Sequence, residues 1–221
     1  MTTSALADSQ KPESFRFTLR GATRAEHTAL DAHEALSSLM DGTLSREGYR
    51  RLMSLFHAFY NQHDVMLEKA CELHKTDLGD FVYARRSSIL AADLGELGVE
   101  ARLLHKGQYT ALPPIRSAST LAGYLYVFEG SMLGGGVLLK AAEAMQRKRE
   151  ESGFGYWQWC RDKGAMRWRM TCNVIDKLAV NDSARTEIIE AARQAFSTFN
   201  KWLERWRFEE PLTSPAGILR C

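Results

Sequence analysis

One segment restricts the architecture more than any other: Tyr124-Leu125-Tyr126-Val127-Phe128-Glu129-Gly130-Ser131-Met132-Leu133-Gly134-Gly135-Gly136-Val137-Leu138-Leu139-Lys140. Both ends are apolar and helix-forming, yet four glycines fall within seven positions. A glycine inside a helix costs about 1 kcal/mol relative to alanine, so a continuous helix here gives up ~3–4 kcal/mol. That is a large part of a domain's net stability. Two foldings fit the pattern. Residues 130–136 form a loop between two helices, or a single helix bends there and lies against something broad and flat. The second folding gives the glycines a purpose, because a residue without a side chain holds nothing away.

The remaining chain supports a helical protein. At 221 residues, 45% hydrophobic and 25% charged, it has material for one globular domain. Helical periodicity recurs throughout and strand-like alternation is scarce, which predicts an all-α, single-domain helical bundle. Ser14 caps a first helix from Phe15 to about Met40, ended by Asp41-Gly42. Ser45 caps a second running to about His74, and a third spans about Phe81 to Leu97, closed by Gly98. Lys106 to Pro114 reads as a loop, broken by Gly107, Pro113 and Pro114. Ser117 or Ser119 opens the helix that reaches the glycines, and helical pattern resumes from Val137 to about Arg149. After a break at Gly153 and Gly155, a helix covers about Ala165 to Leu178. Asn181 or Asp182 caps the last, from Ser183 to about Arg207. Residues 1–13 read as a disordered tail, 14–208 as the domain, and 209–221 as an irregular tail.

Several function classes are disfavoured. A net charge of +2 is too small to indicate nucleic acid as a partner. No apolar run has membrane-spanning length, and the N-terminus lacks the basic start and apolar stretch of a secretory signal. Cys71, Cys160, Cys172 and Cys221 show no Cys-x-x-Cys spacing, which argues against structural zinc and a disulfide framework. The reducing cytoplasm is the expected location. No nucleophile elbow or Walker loop occurs, and Gly134-Gly135-Gly136 follows no strand.

Of the six histidines, His27 has the most suggestive setting. On a helix it falls roughly 60° from Leu30 and roughly 40° from both Thr23 and Asp31. It therefore edges an apolar stripe, with a hydroxyl and a carboxylate one turn to either side. A metal-bound imidazole commonly gives its other N–H to such an acceptor. Arg20 and Arg24 flank the same helix, and Arg167 and Arg169 bracket Trp168; each can pair with a carboxylate-bearing ligand.

Two segments together carry a family resemblance. Leu19-Arg20-Gly21-Ala22-Thr23-Arg24-Ala25-Glu26-His27-Thr28-Ala29-Leu30-Asp31 resembles the proximal-helix motif of haem oxygenases. Tyr124 to Gly135 resembles their kinked distal helix in its bacterial form. Their order, their separation of about a hundred residues and the helical pattern agree over about Phe15 to Arg207.

The resemblance implies that haem lies between the two helices, as both cofactor and substrate, with O2 as co-substrate. His27 would be the axial iron ligand. Gly130 and Gly134 would bring distal backbone over the haem face, Gly135 would continue the approach, and Ser131 would support a water network. Arg20 matches a position that holds a haem propionate, Thr23 belongs to the same binding set, and Arg24, Arg167 and Arg169 are added on charge alone. Some relatives carry an aspartate where this chain has Ser131, so their proton-delivery details do not transfer. The implied products are biliverdin, carbon monoxide and ferrous iron. A ferredoxin, flavodoxin or reductase would supply electrons, and a phytochrome-type photoreceptor is a possible biliverdin acceptor. A non-catalytic haem carrier or sensor on the same fold is the alternative. A third, weaker reading is a related helical fold holding a di-iron centre or a thiamine-type substrate.

Overall fold

The structure is a computed structural model and describes residues 14–99, 110–147 and 152–207. Among these residues every regular element is helical. The elements are α1 (Phe15–Ala22), α2 (Arg24–Asp31), α3 (Glu34–Met40), α4 (Arg46–Leu73), α5 (Lys75–Leu78) and α6 (Ser87–Glu96). They continue with α7 (Ala118–Gly130), a 3-10 turn (Ser131–Gly134), α8 (Gly135–Arg147), α9 (Gly155–Leu178), α10 (Asp182–Glu204) and a closing 3-10 turn (Arg205–Arg207). The two expected tails, Cys221, residues 106–109 and residues 148–149 lie outside the described residues.

Helix α7 is the central element, packed between α9 and α10. Every residue from Leu121 to Glu129 is buried, the pattern of a helix surrounded by protein on all sides. Its contact with α10 is backbone against backbone: a Cβ on Gly123 would lie 2.4 Å from the Ile188 carbonyl oxygen. Phe128 stacks on Phe59 of α4 with centroids 5.3 Å apart, and Phe59 meets Phe199 of α10 at 4.7 Å. These rings join α4, α7 and α10 into one core.

Three helix starts use a serine or asparagine side chain as the cap. Ser45 accepts from Gly48 N–H at 2.9 Å, Ser117 rather than Ser119 from Thr120 N–H at 3.0 Å, and Asn181 rather than Asp182 from Ala184 N–H at 2.9 Å.

Three boundaries differ from the sequence expectation. The single helix expected over 15–40 is three. The Thr23 hydroxyl donates back to the Leu19 carbonyl at 2.9 Å, a bond that bends helices, and the backbone leaves helical geometry there. His33 then takes an extended conformation and caps α3, accepting from Ala35 N–H through Nδ1 at 3.2 Å. Helix α9 begins at Gly155 rather than near Ala165, because the Asp93 carboxylate of α6 accepts from both Gly155 and Tyr156 N–H at 2.8 Å. Helix α6 begins at Ser87 rather than near Phe81. There the Asp64 carboxylate of α4 accepts from Arg86 and Ser87 N–H, each at 2.9 Å.

Candidate functional site

The glycine-rich segment is a bent helix and not a loop. Gly130, Ser131 and Gly135 all keep right-handed helical dihedrals, and the bend is one tight 3-10 turn between α7 and α8. The glycines serve different neighbours. A Cβ on Gly135 would lie 2.3 Å from Cys160 Cβ, and one on Gly164 of α9 would lie 3.1 Å from the Met132 carbonyl oxygen. The turn and α9 therefore approach each other through a glycine on each side. A Cβ on Gly130 would lie 3.2 Å from the indole of Trp168, so the flat group on that side is a tryptophan ring. Gly134 differs from these: a Cβ there would meet nothing within 4 Å. It presents bare backbone to open space. Its neighbours Leu133 and Val137 are large apolar residues left exposed.

Ala141, Ala144 and Met145 line one side of a cavity of about 280 Å³, closed on the other side by Leu39 to Gly42 at the end of α3. The cavity lies where α3 meets α8.

His27 lies on α2 with more than half of its side chain exposed. Its Nδ1–H donates to Asp31 Oδ2 at 2.9 Å. Of the two acceptors the sequence offered, the carboxylate is used, since the Thr23 hydroxyl is committed to Leu19. Nε2 has no protein partner among the described residues, which leaves its lone pair available for an exogenous ligand.

A row of aromatic rings connects this imidazole to the bent helix. His27 meets Phe196 of α10 edge-on at 5.8 Å, Phe196 meets Tyr126 of α7 at 6.4 Å, and Tyr126 meets Trp168 of α9 at 5.4 Å. Trp168 then covers Gly130. Burial raises the Tyr126 phenol above its ordinary range, while Thr23 and the Arg20 charge act to lower it. His27 and Gly130 are thus joined through one apolar wall. Sequence alone gave Phe196 and Trp168 no part in a site, because aromatic residues at helical spacing are ordinary core material.

The arginines divide into two groups. Arg20, Arg24 and Arg169 are exposed. Arg167 is buried and already paired, which corrects its reading as a ligand-binding cation. Its Nε and Nη2 donate to the two Glu129 carboxylate oxygens at 2.7 and 2.8 Å. Arg86, fully buried, reaches the same carboxylate at 2.6 Å. Burial pushes the Glu129 carboxyl up, but the two guanidinium groups outweigh it and hold the group ionised, below the usual range. The partner of Arg86 and Arg167 is the residue immediately before Gly130. The bend is therefore anchored at its start by a buried ion cluster that the motif did not announce.

A family model described as Heme oxygenase matches residues 13–205 of this chain. The chain belongs to the haem oxygenase family. Heme oxygenase PigA of Pseudomonas aeruginosa is 27% identical over 203 residues, covering 90% of this chain and 98% of that protein. Solved haem oxygenases share the fold. The Leptospira interrogans structure has a TM-score of 0.70 at 22% identity, covering 87% of this chain and 99% of that one. The NO- and CO-bound structure from Neisseria meningitidis has a TM-score of 0.68 at 24% identity, covering 94% and 100%. Heme oxygenase-1 from Synechocystis, in complex with heme, has a TM-score of 0.67 at 16% identity, covering 87% and 91%. In this family member, as described, no helix is long and apolar enough to cross a membrane, and no three His, Cys, Asp or Glu side chains converge as a metal site. The di-iron reading thus gains no ligand set from the described residues.

Proposed function

We propose that this protein binds haem and opens it oxidatively, using O2 and external electrons to give biliverdin, carbon monoxide and ferrous iron. One observation carries the reading. A surface imidazole with Nδ1 fixed and Nε2 free is joined by an aromatic wall to a bent helix with bare backbone at Gly134. A flat, apolar, metal-bearing group fits that arrangement, and the Synechocystis relative is in complex with heme.

Bound haem would supply the iron at which dioxygen is reduced and the ring that is opened. The chain's residues would do the rest. His27 would ligate through Nε2 as a neutral imidazole, with Asp31 fixing its tautomer and ring plane. An imidazole lacks the electron push of a thiolate, which favours O–O cleavage. Gly134 would keep the distal side free of side-chain bulk and carries no acid that could protonate an oxygen held there, whereas the missing side chains of Gly130 and Gly135 make room for Trp168 and Cys160 instead. Ser131 offers a hydroxyl without negative charge. The exposed Arg20 and Arg169 would meet carboxylates of the substrate at the rim, and Arg24 has the same opportunity. Electrons would come from a ferredoxin, flavodoxin or reductase, and biliverdin could pass to a phytochrome-type photoreceptor.

The purified protein, loaded with one equivalent of haem and given reductant under air, is expected to lose its Soret band. Biliverdin absorption should replace it, with the isomer identified by product chromatography. Haem that stays bound and unchanged with competent donors would favour the carrier or sensor reading instead.

A further inference from the structure

Helix α2 carries the His27 imidazole on little support of its own. It has eight residues, and Leu30 alone of them is buried. A helix this short keeps its shape and place only through packing. Its start gains no side-chain cap, because the Thr23 hydroxyl is committed to the Leu19 carbonyl. Ala22 closes α1 just before it, where carbonyls lack an intrahelical partner.

One side chain of α10 meets both ends of this junction. Arg193 donates to the Ala22 carbonyl twice, from Nε at 3.1 Å and from Nη2 at 2.8 Å. Its Nε also lies 3.5 Å from Oε1 of Glu26, the residue before His27. Along the same helix, Phe196 meets the His27 ring edge-on at 5.8 Å, and Asn200 Nδ2 donates to the Glu26 carbonyl at 3.5 Å. Positions 193, 196 and 200 fall within about 60° of one another around a helix, so one face of α10 makes all these contacts. The Arg193 side chain is 51% exposed, so it adds little to the stability of the whole fold and its effect is local.

We propose that Arg193 is a positioning residue for the axial ligand. It ties the end of α1 to the first turn of α2, and so sets the rotation of α2 and the direction of His27 Nε2. This role rests on the haem reading above. Asp31 fixes which nitrogen is free, and Arg193 fixes where that nitrogen points. A ligating group must be held within roughly 0.5 Å of its productive place, which a short and mostly exposed helix does not achieve alone.

The test uses the full chain as wild type, Arg193→Ala, His27→Ala and the double variant. Haem titration of Arg193→Ala is expected to show about tenfold weaker binding than wild type, the lower end of the usual effect of losing an outer-shell partner. In the His27→Ala background with saturating imidazole, the ligand is no longer attached to α2. There Arg193→Ala is expected to change haem affinity by less than about twofold, the ordinary margin of additivity. In the ferrous proteins, the iron–histidine stretching band of Arg193→Ala is expected to broaden and shift, as it does for an imidazole held at several tilts. A loss of the same size in both backgrounds would mean a direct contact with haem or a general defect, and would overturn the proposal. So would wild-type affinity or an unchanged band in Arg193→Ala.

A second arm needs no haem. Hydrogen exchange at the amides of α2 in the haem-free chain is expected to run about tenfold faster in Arg193→Ala, the scale of one hydrogen bond from a charged group, with α4 unchanged. Equal exchange in α2, or faster exchange spread through α4, would also overturn the proposal. A wild-type protein that takes up no haem would instead remove the reading on which the role rests. The two failures are distinguishable, because the faster exchange in α2 would persist in that case.

Discussion

At the scale of single residues, His27 and Asp31 form the most informative pair. Bonding to Asp31 at 2.9 Å chooses the tautomer that leaves Nε2 free, and it sets the plane of the ring. Asp31→Asn keeps the size of the side chain but weakens the acceptor. Haem titration of that variant is expected to show about 10- to 100-fold weaker binding, the usual effect of losing such an outer-shell partner. Binding unchanged from wild type would contradict the role given to Asp31. This pair was legible in the chain because a helix places residues 27 and 31 one turn apart. Glu129 and Arg167 were not, because their 2.7 Å contact joins residues 38 positions apart. A basic residue beside a tryptophan reads the same whether it faces solvent or a buried carboxylate.

At the scale of elements, the periodicity located helix interiors and missed two of their beginnings. Local caps at Ser45, Ser117 and Asn181 act within three residues of their own helix, so they can be read in order along the chain. Helices α6 and α9 are instead started by carboxylates borrowed from α4 and α6, which only the packed molecule supplies. Glycines were ambiguous for the same reason. Gly130, Gly134 and Gly135 look alike in sequence, yet they face an indole, open space and a cysteine.

Another element is held by a histidine. His63 of α4 donates through Nδ1 to the Phe59 carbonyl at 2.7 Å and accepts through Nε2 from Leu112 N–H at 3.2 Å. The ring must be neutral to make both bonds, and it fastens the segment before α7 to α4. Burial pushes the His63 pKa below the ordinary value of 6.5, against smaller upward effects of the Phe59 carbonyl bond and the Asp64 charge. Burial lowers His57 as well. Below that ordinary value the unfolded chain takes up protons that the folded chain refuses, so stability falls as pH falls. Urea midpoints measured from about pH 7.5 to about pH 5.5 are expected to decline, by at most about 1.4 kcal/mol per pH unit for each histidine kept neutral. His63→Asn should flatten that decline. A slope identical to wild type would contradict the assignment.

At the scale of the whole molecule, the bundle brings together two motifs about a hundred residues apart. Helix α2 rests on α10, α10 packs on α7, and α7 carries the bend whose start the Arg86–Glu129–Arg167 cluster holds in place. The all-α fold followed from periodicity and composition. The aromatic wall of Phe196, Tyr126 and Trp168 did not, since four different helices contribute its members together with His27. The proposed chemistry asks one role of this wall, which is to present the His27 imidazole to a ligand from outside the chain. The most direct measurement is a haem titration of wild type and His27→Ala, followed by optical and spin-resonance spectra with and without added imidazole. The account predicts one haem per chain, a histidine-ligated spectrum lost in the variant, and its recovery on adding imidazole. A variant whose spectrum matches wild type without imidazole would contradict it.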